Sequence, residues 1–220
     1  MTKFRNNITL GFLLIITLTS NCQEAITDST ILNADSSMID GRKYKAIYKT
    51  DEFFYIIDSQ DKIVFKSKDY YKFYEFSDFD NDGNNDILFS YLGNVPRMDL
   101  ILYDKKSKNF KAVENFRDYP EPTKIADTKY YYSYHRSGCA DRNWDSDLFF
   151  IEDFKTYKLG TISGRECEGS AEKEGLYIFI IKENKETLLE TKDINEIHKF
   201  QNDKWDFIND YWIKNYKRFE

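Results

Sequence analysis

The feature that most limits what this chain can fold into is its rhythm. From Tyr44 onward, short runs of Ile, Phe, Tyr and Val recur about every ten residues, separated by Asp, Asn, Lys and Gly. Such runs read as strands, because β-branched and aromatic side chains suit a pleated surface. They fall at 44–49, 52–57, 62–66, 71–76, 87–91, 99–103, 110–113, 129–135, 147–152, 157–163 and 176–182. Parallel neighbours would need long helical crossovers, for which these intervals leave no room. The expectation is a mainly β fold, an antiparallel meander with a propeller-like arrangement, and a β-sandwich as the alternative.

The end of the chain breaks the rhythm. Trp205, Ile208, Trp212 and Tyr216 recur at spacings of three and four, with Asp203 placed to cap and Lys214, Lys217 and Arg218 near the finish. This predicts an amphipathic helix over 203–219 whose aromatic stripe covers an open sheet face.

A hydrophobic share of 41%, with 17% aromatic, excludes a disordered acidic polymer, which lacks the apolar surface to offset chain entropy. The net charge of −6 argues against nucleic acid as a partner, since phosphate binding draws on clustered Lys and Arg.

Lys3 and Arg5 precede an apolar run from Ile8 to Leu18, and Cys22 follows it. The run is too short to span a bilayer core and has the outline of a secretory leader. With Cys22 just beyond it, it resembles a bacterial lipoprotein leader, in which that cysteine becomes the lipidated first residue. This implies a signal peptide at 1–21 and a protein of the bacterial cell envelope, held to a membrane by its lipid, in the outer membrane facing the periplasm or at the cell surface. Residues 22–41 are rich in Ser, Thr, Asp and Asn and read as a flexible tether, with organised structure from Arg42 and a single domain over 42–220. Removal of Lys3 and Arg5 makes the remaining chain more acidic still. Cys139 and Cys167 are then left as a pair suited to a disulfide in an oxidising compartment, the alternative being two buried thiols.

The strongest chemical motif is the run from Asp78 to Asp86. Asp78, Asp80, Asp82 and Asp86 fall at positions 1, 3, 5 and 9 of a loop with Gly83 at position 6, and Asn84 can add its carbonyl. A hard cation needs six to eight oxygens, and alternate acidic side chains with a glycine turn supply them. Position 12 is Phe89, where an EF-hand needs Glu, and strands rather than helices flank the loop. The reading is a structural calcium site; an ion-free Asx turn is the alternative.

The run from Phe76 to Phe89, the strand from Asp99 to Asp104, the turn Lys108-Asn109-Phe110 and the later Ser137-Gly138 resemble the calcium-loop region of FG-GAP/VCBS-like bacterial proteins. More narrowly, they are similar to the XAC2610-like periplasmic family, over about residues 70 to 165. The resemblance implies a propeller-like β domain with bound calcium, ligated by Asp78, Asp80, Asp82 and Asp86. For some relatives it implies inhibition of lysozyme-type muramidases as immunity or defence proteins.

A second candidate surface is the polar stretch between two apolar strands, with His135, Arg136, Ser137, Gly138, Arg142 and Trp144 as partner-binding residues. Arg and Trp anchor interfaces, and a disulfide at Cys139 reduces the ordering cost of a protruding loop. The alternative is that Trp144 packs inward. A cationic muramidase would be steered by the acidic body. With two His and no nucleophile-elbow, Walker or zinc-protease motif, the sequence reads as a binding protein rather than an enzyme. An envelope or adhesion module without inhibitory activity is the competing reading.

Overall fold

A computed structural model describes residues 30–70, 73–91, 93, 96–167, 173–183 and 185–220. The leader and Cys22 lie outside the described residues. Within them, three antiparallel sheets follow one another along the chain and a helix closes the sequence. The first sheet is a plain meander of β1 (Ile31–Ile39), β2 (Arg42–Lys49), β3 (Phe54–Ile57) and β4 (Ile63–Ser67). The second repeats that plan with β5 (Tyr74–Ser77), β6 (Asp86–Tyr91), β7 (Arg97–Asp104) and β8 (Asn109–Ala112). The third comprises β9 (Thr123–Lys124), β10 (Tyr130–Tyr132), β11 (His135–Gly138), β12 (Asn143–Glu152), β13 (Lys155–Arg165), β14 (Gly175–Lys182) and β15 (Lys185–Lys192). In it β10 and β11 both pair with β12. The meander expected from the sequence rhythm is therefore present in each sheet.

The sheets stack as layers, because strands such as β7 and β12 carry apolar residues on both faces. In β7, Ile101 and Tyr103 join Tyr44, Phe54 and Phe89 between the first and second sheets. The alternate residues Leu100 and Leu102 join Tyr119, Tyr131 and Phe149 between the second and third. In β12, Phe149 faces the second sheet while Leu148 faces the helix. Period-two alternation thus assigns successive residues to successive cores. The result is the layered, sandwich-like alternative, built from sheets with the strand order of propeller blades and forming no closed barrel.

Structure begins earlier than the sequence suggests. Residues 31–39, read as part of a tether, pair with β2 along their length, and Ile39 is buried at the end of the strand. Strand β1 is polar because it is an edge with solvent beside it. It is also tied to the acidic loop, where Asn85 Nδ2 donates to Ser37 Oγ (2.8 Å) and the Asp40 N–H donates to Asn84 Oδ1 (3.1 Å). Strand β15, missed for the same reason, is the exposed edge of the third sheet.

The closing helix, α1 (Lys204–Asn215), runs into a 3-10 turn over Tyr216–Phe219. It covers the outer face of the third sheet as expected, but with a rotated stripe: Phe207, Ile208, Tyr211 and Trp212 are buried, while Trp205 is 47% exposed. Trp212 Nε1 donates to Ser146 Oγ (2.8 Å), which donates to the Ser133 carbonyl (2.6 Å), a buried hydrogen-bonded line from helix to sheet. Asp203 does not cap with its side chain; its carboxylate instead lies 3.0 Å from His198 Nδ1. No described helix is long and apolar enough to cross a membrane.

Candidate functional site

The run from Asp78 to Asp86 closes the β5–β6 hairpin, with Ser77 paired opposite Asp86. Gly83 sits at φ 90°, a left-handed conformation that a Cβ would strain, and Asn81 takes φ 60°. The loop is cinched by its own carboxylates. Asp78 accepts from the N–H groups of Asp82 (3.0 Å) and Gly83 (3.1 Å), and Asp80 accepts from the Asp82 N–H (3.1 Å). Asp86, at the start of β6, is buried and accepts from the N–H groups of Tyr103 (2.9 Å) and Phe79 (3.1 Å).

Ligand oxygens of Asp78, Asp80 and Asp86 lie within 4.8 Å of one another. Of the rest of the acidic run, Asp82 accepts at one oxygen from Asn84 N (2.8 Å) and Nδ2 (3.0 Å), and the Asn84 side-chain oxygen accepts from the Asp40 N–H. Burial pushes the Asp86 carboxyl up to about 8, with Asp80 and Asp82 adding to the rise and the two N–H donors opposing it. Asp80 is raised by burial and by the neighbouring Asp82 charge. Lys124, which sequence reasoning passed over, brings its ammonium to the Asp80 carbonyl.

The second candidate site lies on the third sheet. His135 pairs opposite Asp145 and reaches across to Asp147, with Nε2 3.3 Å from the carboxylate. Asp147 also receives Lys158 Nζ (2.7 Å) and Thr161 Oγ1 (2.7 Å). Burial alone would raise the Asp147 carboxyl, but His135 and Lys158 outweigh it and hold the carboxyl below its ordinary range. Asp145 is held by Ser163 and by Arg165 at 3.0 Å. The alternation Asp145, Asp147 within an apolar strand is the signal that could have marked this network.

Beyond β11 the chain turns through Cys139, Ala140 and Asp141, all left-handed at φ 54°, 52° and 73°. Three consecutive non-glycine residues in that region are costly and persist only where their surroundings fix them. The Cys139–Cys167 disulfide, present as expected, is one such constraint. Asp141 supplies the other: it accepts from the Tyr134 hydroxyl and from Lys204 Nζ (2.9 Å), and Arg136 lies 3.6 Å away. Burial raises the Asp141 carboxyl, yet Tyr134 and Lys204 bring it below its usual value.

Of the six expected partner-binding residues, Arg136, Ser137, Gly138 and Arg142 are at the surface or its rim, and His135 is partly buried against Asp147. Arg142 donates to the Glu166 carbonyl, and Ser137 Oγ accepts from Arg165. Trp144 is corrected: it is fully buried, seated over Gly164, where an added Cβ would stand 2.1 Å from the indole. The exposed tryptophan beside this turn is Trp205, whose ring centroid lies 4.1 Å from that of Tyr134, with Lys204 Nζ 5.4 Å from it.

No protein-family profile matches the chain, and no curated protein matches it. A solved structure described as that of a Xanthomonas Type IV secretion system related protein is similar at a TM-score of 0.47 and 10% identity, over 71% of this chain and 93% of that one.

Proposed function

We propose that this chain is a calcium-stabilised binding protein of the bacterial cell envelope, carried on a lipid at Cys22, that engages another macromolecule through the disulfide-braced turn after β11. It is read as a non-enzyme. Its sharpest form is a muramidase inhibitor. The observation that carries the reading is the turn itself: three left-handed residues, locked by a disulfide and by the Tyr134–Asp141–Lys204 contacts, hold Arg136 and Arg142 at the surface. Backbone strain retained at an exposed tip is the usual mark of a preorganised contact. The three converging carboxylates of the acidic loop support calcium as the structural ion, since acidic oxygens brought this close together suit a shared hard cation. An acidic protein is suited to steer towards a cationic muramidase. The test is a muramidase rate assay with the purified protein at low salt. A saturable loss of rate that weakens as salt rises is expected; an unchanged rate removes that enzyme as the target.

A further inference from the structure

We propose that the pocket between the left-handed turn and the start of α1 receives a lysine or arginine side chain of the protein partner, with Trp205 as its main contact. This rests on the protein-binding reading above and names the chemistry the partner must present.

The pocket has a volume of about 290 Å³ and is lined by Ala140, Arg142, Glu166, His198, Asp203 and Trp205 among others. It is held open from both sides. One wall is the turn, which the disulfide keeps in place. The other is the first turn of α1, pinned there because Lys204 Nζ donates to the Asp141 carbonyl (2.8 Å) as well as to its carboxylate. Trp205 is therefore presented rather than mobile, packed at a tilt against Tyr134 with nearly half its surface open. Tryptophan in such a fixed, exposed position is among the residues that most often dominate interface energy, because little ordering cost remains.

Charge decides what enters. The cations at the pocket are already engaged: Lys204 by Asp141, and Arg142 by the Glu166 carbonyl. The Asp203 carboxylate is 61% exposed, with the His198 ring 3.0 Å away, and Glu166 brings a further acid to the lining. An aromatic face beside two carboxylates fits a cation, through the ring quadrupole and an ion pair together. It fits a carboxylate or phosphate poorly, and the protein's net charge of −6 points the same way.

The experiment follows the three indole N–H resonances of the full protein during titration with the peptide acetyl-Gly-Arg-Gly-amide, using acetyl-Gly-Glu-Gly-amide as control. Trp144 and Trp212 are buried internal references. The expected result is a saturable shift of the Trp205 resonance alone, with the arginine peptide only, weakened several-fold in the Glu166→Gln/Asp203→Asn double variant. Equal response to both peptides, no response at Trp205, or no effect of the double variant overturns the proposal. In the muramidase assay, Trp205→Ala should weaken inhibition about tenfold or more, with unmoved Trp144 and Trp212 resonances certifying the fold. Inhibition unchanged in Trp205→Ala sinks the pocket and leaves the inhibitor reading standing. A Trp205 response to the arginine peptide without any muramidase inhibition supports the pocket and removes the enzyme.

Discussion

The acidic loop of β5–β6 and the hairpin of β11–β12 both gather buried or half-buried carboxylates, yet their electrostatics run in opposite directions. In the loop, Asp80 and Asp86 are pushed up, because burial and like charges outweigh the backbone donors around them. In the hairpin, Asp141 and Asp147 are held down, because Lys204, Lys158, His135 and Tyr134 outweigh the same burial. The hairpin carries its own cations on neighbouring elements, whereas Lys124, the lysine that reaches the loop's Asp80, meets its carbonyl rather than its carboxylate. A region complete in itself and a region proposed to take an ion from outside should fail under different treatments.

The largest effect is expected where a self-supplied cation loses its partner. Asp147→Ala leaves His135, Lys158 and Thr161 facing a void, and breaking such a buried pair typically costs about 3–5 kcal/mol. Urea unfolding should show that loss equally with calcium and with chelator. A calcium-dependent loss would mean that the two regions are coupled rather than separate.

Next in size is the covalent brace. Replacing Cys139 and Cys167 by Ser frees the chain between them, and the loop-closure model puts the loss at about 3.6 kcal/mol. It too should be indifferent to calcium. The same variant should lose partner binding beyond what its stability explains, because the turn no longer holds its left-handed residues; retained binding would break the link between strain and function.

The loop should answer to the ion alone. With a dissociation constant near 10⁻⁴ to 10⁻³ M, about 2 mM calcium would add roughly 0.6–1.8 kcal/mol, read as a higher Tm than in chelator. Asp86→Asn tests this directly. Without an ion the like-charge crowding is relieved, but the amide offers one acceptor oxygen where the two carboxylate oxygens take Tyr103 and Phe79 separately, so the variant should melt a little lower than the parent in chelator. In calcium it should fall further below the parent, having lost a ligand. Parallel curves in the two conditions would remove calcium from the loop.

How much of this was legible depended on which side of an element water lies. Strands with two buried faces, such as β7 and β12, announce themselves by continuous apolar residues. Edges such as β1 and β15 do not, because their stability comes from the neighbour they pair with rather than from their own side chains. The two tryptophans show the same limit at the site. Trp144 and Trp205 both sit among charged residues, and only the distant Gly164, which clears space for one indole, decides that it is buried. The Asp78–Asp86 spacing placed its acids on one loop, but period alone could not show that the oxygens of Asp78, Asp80 and Asp86 converge while Asp82 bonds Asn84. The Asp145, Asp147 alternation hints at the Asp147 network, but its donors come from two neighbouring strands, β11 and β13, which only the pairing reveals.

The smallest effect separates the two regions by pH. The groups facing His135 are Asp147, Asp145 and Lys158, and hydrogen bonding to Asp147 raises the imidazole above its ordinary 6.5, against the opposing pull of burial and of Lys158. A raised folded-state value means that this contribution to stability is full below 6.5 and is lost as pH climbs through the folded value. Asp147 works in reverse: burial is outweighed by His135 and Lys158, so its contribution holds above its ordinary 3.8 and is lost as pH falls through the depressed folded value. The pair is therefore strongest between about 3.8 and 6.5, and weakens mildly above that window because Lys158 still neutralises Asp147. Melts of the parent in calcium should decline gently from pH 6 to 8, and His135→Gln should flatten that decline without altering the acid limb set by Asp147. A decline that persists unchanged in His135→Gln would assign it to another group and leave the hairpin's internal pairing independent of this histidine.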